Sequence, residues 1–229
     1  MNKDIVLDVA EVLQLEKDIE SSGTSLYELM QRAGKALADL TISELKNRNK
    51  KGSVIVFCGN GNNGGDGWVA IEEMAKQEIS MCVCSEVWSG DIKAMPAKLA
   101  VDSAYENASR YMSLYINPEK DDIMRAISMS EIVIDAILGT GFKFDAVKEP
   151  QRTWIEAINE AKNQGAYVIS CDVPSGMNAQ TGEVADVCVK ADKTVTMMCN
   201  KTGMTLPKAR EYTGDIVVAE IAEIDKFLQ

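Results

Sequence analysis

Histidine is missing from all 229 residues of this chain. Any general acid or base must therefore be an Asp, Glu, Lys, Tyr or Cys side chain or a water, its pKa set by its surroundings. Of the six cysteines, at positions 58, 82, 84, 171, 188 and 199, no two form a CxxC pair. Cys58, Cys82, Cys84 and Cys171 fall in strand-like runs, which reads as buried free thiols rather than metal ligands or disulfides and fits a reducing compartment. No run approaches the roughly 18 apolar residues that a membrane span needs. The first twenty residues, MNKDIVLDVAEVLQLEKDIE, carry acids throughout instead of the apolar core of a signal peptide. A soluble, cytoplasmic protein with no membrane partner is expected. Basic charge is also short: 24 Lys+Arg against 35 Asp+Glu gives a net charge of −11. Such a surface repels nucleic-acid backbones, although local backbone dipoles still allow small anions. Internal repeats and low-complexity linkers are absent, and a chain of this length buries about 70% of its unfolded surface in a single core, so one domain over residues 1–229 is expected.

What is present centres on 54–70, VIVFCGNGNNGGDGWVA. Four apolar or β-branched residues lead into five glycines and four Asn or Asp within the nine positions 59–67, and a helical pattern begins at Trp68. The spacing predicts a strand, a glycine-rich turn and a helix start. Glycines permit positive φ and close approach of backbone to a ligand, and the following helix offers unpaired N–H groups to an anion. Gly59-x-Gly61-x-x-Gly64 satisfies a dinucleotide fingerprint, with Glu86 about twenty residues on in the place of a ribose-binding acid. Asp66 argues against the ordinary form of that reading, because a carboxylate in the turn repels a diphosphate unless it bonds a hydroxyl or a cation intervenes. The loop reads as built for hydroxyls, amides and a cation; a purely structural glycine turn is the bland alternative.

Along the chain, Asp8–Glu20 reads as a first helix ended by Ser22-Gly23, and Thr24 as the N-cap of a long amphipathic helix reaching about Asn49. After the central stretch, strands are expected at 80–86, 111–116, 131–137 and 166–171, with helices at 92–106, 119–129 and 151–162 between them. Further strands are expected at 193–198 and 215–220. This alternation is that of a parallel sheet with crossover helices, in which ligands bind outside the carboxyl ends of the strands. Three such ends carry unusual chemistry: GNGNNGGDG, DAILGTGFKFD from Asp135, and DVPSG from Asp172. All three are expected to face one crevice, although Gly-Thr-Gly and Pro-Ser-Gly are also competent turns.

These pieces resemble the YjeF N-terminal domain, the NAD(P)HX epimerase family, over essentially the whole chain. The matching segments are Glu28–Gly34 (ELMQRAG), Gly61–Gly67 (GNNGGDG), Asp135–Gly141 (DAILGTG), Asp172–Gly176 (DVPSG) with Thr181-Gly182, Ala191–Thr196 (ADKTVT) and Lys201–Gly203 (KTG). The resemblance implies a Rossmann-like three-layer α/β/α sandwich and a repair reaction. NADH and NADPH take up water across a nicotinamide double bond, and family members interconvert the R and S epimers of the hydrate for a dehydratase specific to one. By the same resemblance, Asn62, Asn63, Gly64, Gly65 and Asp66, then Gly139, Thr140, Gly141, Phe142, Lys143, Phe144 and Asp145, and finally Asp172 contact the hydrated nucleotide. Asn63, Asp135 and Ser175 are implied ligands of a potassium ion, which suits an amide carbonyl, one carboxylate, a hydroxyl and loop carbonyls.

Epimerisation requires the hydroxyl to leave and return, through an iminium ion or a ring-opened form, and Asp172 is expected to shuttle the proton from a desolvated strand end. Ser175 as a nucleophile lacks a histidine to activate it. Phe57-Cys58 and Phe142-Lys143-Phe144 depart from the family's usual residues, and Lys143 is expected at a phosphate in place of its arginine. The dehydratase is expected as a separate protein. Family members are often dimers, but an interface helix and a helix packed on its own sheet share one pattern. Catalytically silent nucleotide-binding or scaffold proteins of this fold and a conventional NAD-linked oxidoreductase are the rival readings; the acids Asp66, Asp135 and Asp172 speak against the first.

Overall fold

The computed structural model describes residues 4–48, 52–142 and 146–228. Lys143, Phe144 and Asp145, three of the expected nucleotide contacts, lie outside the described residues. In chain order the elements are β1 (Val6–Leu7), α1 (Val9–Ser21), α2 (Leu26–Asn47), β2 (Ser53–Cys58), α3 (Asn62–Ala75), β3 (Met81–Ser85), α4 (Met95–Ala108), β4 (Met112–Ile116), α5 (Lys120–Ser128) and β5 (Ser130–Ala136). They continue with α6 (Gln151–Asn163), β6 (Tyr167–Cys171), β7 (Lys193–Met197), β8 (Asn200–Lys201), the short α7 (Arg210–Thr213) and β9 (Asp215–Ala219).

Seven strands form one parallel sheet in the order β4-β3-β2-β5-β6-β7-β9. The chain builds outward from β2 to β4, then returns to the other side of β2 with β5. That reversal opens a crevice beyond the carboxyl ends of β2 and β5, where ligands bind in doubly wound sheets. Alternation along β2 explains the layers. Val54, Val56 and Cys58 point into a core shared with α1 to α4, whereas Ile55 and Phe57 point into a second core with α5 and α6. The α/β/α sandwich expected from the sequence is therefore present.

Helix ends obey local chemistry. Asp8 caps α1 and Ser25 caps α2, each in a reciprocal capping box with the residue three on, Glu11 and Glu28. Ser25 thus takes the capping position expected of Thr24, because Glu28 answers it at the spacing a capping box requires. The larger correction is at α3. Its first turn is Asn62-Asn63-Gly64-Gly65, so the glycine-rich segment belongs mostly to the helix and not to a turn before Trp68. None of Gly59, Gly61, Gly64, Gly65 or Gly67 has a positive φ. Close packing is the reason they are glycines: a Cβ at Gly64 would strike the Gly59 carbonyl, and one on Gly34 of α2 would strike the Asp66 carbonyl and Val69. Tertiary contact overrides the low helix propensity of Gly and Asn here. The sequence pattern also missed the parallel pair β1–β8, which ties Val6 and Leu7 to Asn200 and Lys201.

Candidate functional site

A crevice of about 400 Å³ lies over the sheet at this reversal point. Its walls bring together the three strand-end loops, through Asn60 to Asn63 and Asp66, Ile137 to Phe142, and Asp172. Helices α1 and α2 roof it with Val12, Glu16, Leu29 and Met30. The N-terminus of α3 opens into it with Gly61 as N-cap and no side-chain cap, leaving backbone N–H groups and a partial positive charge for an anion.

Strand β6 delivers Asp172 through an unusual backbone. Asp172 has φ +61°, and the Val173 N–H donates to the Cys171 carbonyl at 2.7 Å, a three-residue γ-turn with positive φ. The neighbouring β7 ends the same way: Met198 has φ +66°, and Cys199 N–H donates to the Met197 carbonyl at 2.7 Å. Two strained turns side by side at one wall are the kind of cost that functional sites retain. Between them sits Lys201, 1% exposed, whose Nζ pairs with Asp172 Oδ1 at 2.5 Å and donates to Thr196 Oγ1 at 2.8 Å and the Met197 carbonyl at 3.0 Å. Asp172 is thus not merely desolvated, as expected from the sequence; it is the counter-ion of a buried ammonium.

Asp66, from α3, has no such partner among the described residues. Burial pushes its carboxyl well above the usual carboxylate range, and the charges of Asp172 and Glu16 push it further, against a smaller pull from Lys201. Glu16 is raised as well, chiefly by burial and then by Asp172.

Behind the wall lies a second group of oxygens. Asp135 is fully buried and pairs in register with Ser170 of β6; its carboxylate accepts from Ser170 Oγ at 2.8 Å, from Ser175 N–H at 2.9 Å, from the Ser175 hydroxyl and from Ile137 N–H at 3.3 Å. Ser175 Oγ in turn accepts from Leu138 N–H at 2.8 Å. Asn63 joins this network by donating from Nδ2 to the Leu138 carbonyl at 3.0 Å, while its Oδ1 is buried with no hydrogen-bond partner. Burial outweighs the hydrogen bonds at Asp135 and raises its pKa.

Among the expected contacts, Asn62, Asn63, Asp66, Gly139, Thr140, Gly141, Phe142 and Asp172 line the crevice. Gly64 and Gly65 do not; they pack against Gly59 and against Met30 and Ala97. Glu86, the ribose-acid candidate, also stands off the wall and accepts from Asn60 Nδ2 at 3.2 Å and Gln151 Nε2 at 2.9 Å. Its carboxylate braces the loop against α6.

Residues 26–203 match the family described as YjeF-related protein N-terminus. The chain belongs to this family. It is 33% identical over 219 residues to the bifunctional NAD(P)H-hydrate repair enzyme Nnr of Coxiella burnetii, covering 96% of this chain and 42% of that one. To the enzyme of the same name from Methanothermobacter thermautotrophicus it is 34% identical over 226 residues, covering 96% and 40%. To the NAD(P)H-hydrate epimerase of Elusimicrobium minutum it is 32% identical over 203 residues, covering 84% of each. The chain spans about four-tenths of the length of the bifunctional relatives. The crystal structure of yeast ynu0 shares its fold, with a TM-score of 0.75 over 93% of this chain and 87% of that one at 20% identity.

Lys201 and Glu16 are the charged residues of the crevice to which sequence reasoning gave no role. Within the YjeF-related family match, Lys201 stood only as part of a motif. Its signal was a single cation at the end of the apolar run 195–199, VTMMC, where a lysine needs a buried partner. Glu16 carried no signal beyond its place on a helix.

Proposed function

We propose that this chain is an NAD(P)H-hydrate epimerase, interconverting the R and S forms of hydrated NADH and NADPH. The observation that carries the reading is the Asp66 and Asp172 pair of carboxyl groups in a crevice that also holds an uncapped helix N-terminus. A hydrated nicotinamide nucleotide needs both: acids at a hydroxyl-bearing carbon, and N–H groups for its phosphates. The names of the relatives in Elusimicrobium minutum, Coxiella burnetii and Methanothermobacter thermautotrophicus support the same chemistry. A silent binding protein of this fold would have no need of a strained, ion-paired Asp172 at the ligand wall.

The residues present fit a potassium ion. Asn63 Oδ1 is a buried carbonyl oxygen without a partner, beside the Leu138 carbonyl, Ser175 hydroxyl and Asp135 carboxylate. One charge among neutral oxygens suits a large monovalent cation better than a divalent one. When bound, the ion would supply positive charge beside the crevice and fix the three strand-end loops that hold it.

The six free cysteines support a reducing, cytoplasmic setting, and the fused relatives support a dehydratase as the partner activity. No helix among the described residues is long and apolar enough to cross a membrane. The test is a coupled one. A dehydratase specific for one epimer, given an equal mixture of both, stops near half conversion on the time scale of the assay. Adding this protein should carry conversion to completion, and a plateau that stays at half would refute the reading.

A further inference from the structure

Asp66 and Asp172 share one crevice, but the fold treats them differently. Asp172 faces the buried Lys201 ammonium and takes Thr196 Oγ1 and Met197 N–H at 3.4 Å, so every group arranged around Oδ1 is a donor. Such a cage holds a carboxylate. Asp66 projects from α3 into the same space, and among the described residues no cation is paired to it. The groups facing it are Asp172, Glu16, Lys201 at longer range, and the Cys171 thiol, 4.0 Å from Oδ2. Three of those four are acidic groups, and the fourth is already paired with Asp172.

We propose that Asp66 is the acid that protonates the departing hydroxyl of the hydrate, and that Asp172 is the carboxylate that takes the proton of the returning water. This deepens the epimerase reading above and rests on it. Asp66 gives its proton to the hydroxyl oxygen on the carbon beside the ring nitrogen. The carbon–oxygen bond breaks, its electron pair leaving with the oxygen as water, and the nitrogen lone pair closes a carbon–nitrogen double bond. The iminium cation forms in a crevice where Asp66, now ionised, and Asp172 both offset its charge. Water then adds to the opposite face, a new carbon–oxygen bond forms, and its extra proton passes to Asp172. Exchange with crevice water returns that proton to solvent and reprotonates Asp66, so no proton is gained or lost overall. Burial and the neighbouring acids favour the protonated form of Asp66, and Lys201 positions Asp172 as its complement.

The experiment has three arms on the purified chain with potassium present. Conversion of the R epimer is followed by chromatography from pH 5 to 10, for wild type, Asp66→Asn and Asp66→Glu, and the wild-type reaction is repeated in water labelled with oxygen-18. Expected are a wild-type kcat that falls at high pH, an Asp66→Asn kcat reduced about 100-fold or more with little change in KM, and partial recovery in Asp66→Glu. The S product should carry the solvent label. An unimpaired Asp66→Asn would overturn the proton role, as would a product that keeps its original oxygen, since ring opening leaves that atom attached. Should Asp66→Asn fail to fold, the wild-type pH limb and the label decide the matter: both present uphold the role, either absent rejects it. A wild type that does not accelerate conversion refutes the epimerase reading and this assignment with it, whereas an active wild type with an equally active Asp66→Asn refutes the assignment alone.

Discussion

Lys201 Nζ lies 2.5 Å from Asp172 Oδ1, joining a lysine that is 1% exposed to a carboxylate held at φ +61°. The pair crosses from the end of β6 to β8 and fixes one wall of the crevice. Removing one member of a buried pair leaves the other charge uncompensated, at a cost of about 3–5 kcal/mol. Lys201→Met should therefore lower the melting temperature by roughly 10 °C for a domain of this size. Asp172→Asn should be destabilised too, although asparagine tolerates the left-handed backbone. The double variant should recover much of the loss, because neither charge is then stranded. Calorimetry on the full cycle reads the coupling; additive losses would show that the pair does not act as one.

Asp66 makes stability depend on pH in an unusual direction for an acid. Its folded pKa lies above the unfolded value of about 3.9, so between the two the folded state binds more protons than the unfolded one. Its contribution is therefore fully present below about pH 3.9 and is lost as pH rises through the folded value. Asp66→Asn removes that loss. Its melting temperature relative to wild type should be lowest at pH 4 and should rise steadily at higher pH, as read by thermal melts from pH 4 to 9. A difference that stays constant across this range would mean that Asp66 titrates normally.

The glycines of α2, α3 and the loop after β5 should divide by what a methyl group meets. Gly64→Ala and Gly34→Ala each force a Cβ into backbone carbonyls, and overpacking of this kind costs about 1–3 kcal/mol or more. Among the described residues nothing lies within 4 Å of a Cβ on Gly141, so Gly141→Ala should be near neutral. Urea unfolding of the three variants should give reduced midpoints for the first two alone.

Potassium should stabilise the folded chain through the oxygens around Asn63. Replacing sodium by potassium at equal ionic strength is expected to raise the melting temperature of wild type. Asn63→Ala and Ser175→Ala should abolish the difference between the two salts. A potassium effect unchanged in both variants would place the ion elsewhere.

The strands were legible because a sheet buried on both faces writes itself as continuous apolar runs: EIVIDAI at 131–137 and AYVISC at 166–171 fall within a residue or so of β5 and β6. The parallel sheet then followed from alternation with helices, and the crevice from the carboxyl-end rule, so Asn63, Asp66, Thr140 and Asp172 could be placed at one site from sequence; the strand order itself was not read from it. The start of α3 was not legible, since Gly and Asn locally favour a turn and only contact with Gly59 and α2 selects the helix. β1 and β8 are two residues each, too short for a period to show. The pairing of Lys201 with Asp172 depends on two turns with positive φ, at Asp172 and Met198, that no local pattern encodes. Gly64 and Gly65 carry the right motif but serve packing behind the wall.

The most direct measurement is the rate at which the pure R epimer of the hydrate becomes S in the presence of this chain and potassium, followed by chromatography beside the spontaneous reaction. Wild type should convert it far faster than buffer alone, and Asp172→Asn should fall back toward the spontaneous rate while still binding nucleotide. Equal rates with and without wild-type protein would contradict the account and leave the crevice as a binding site only.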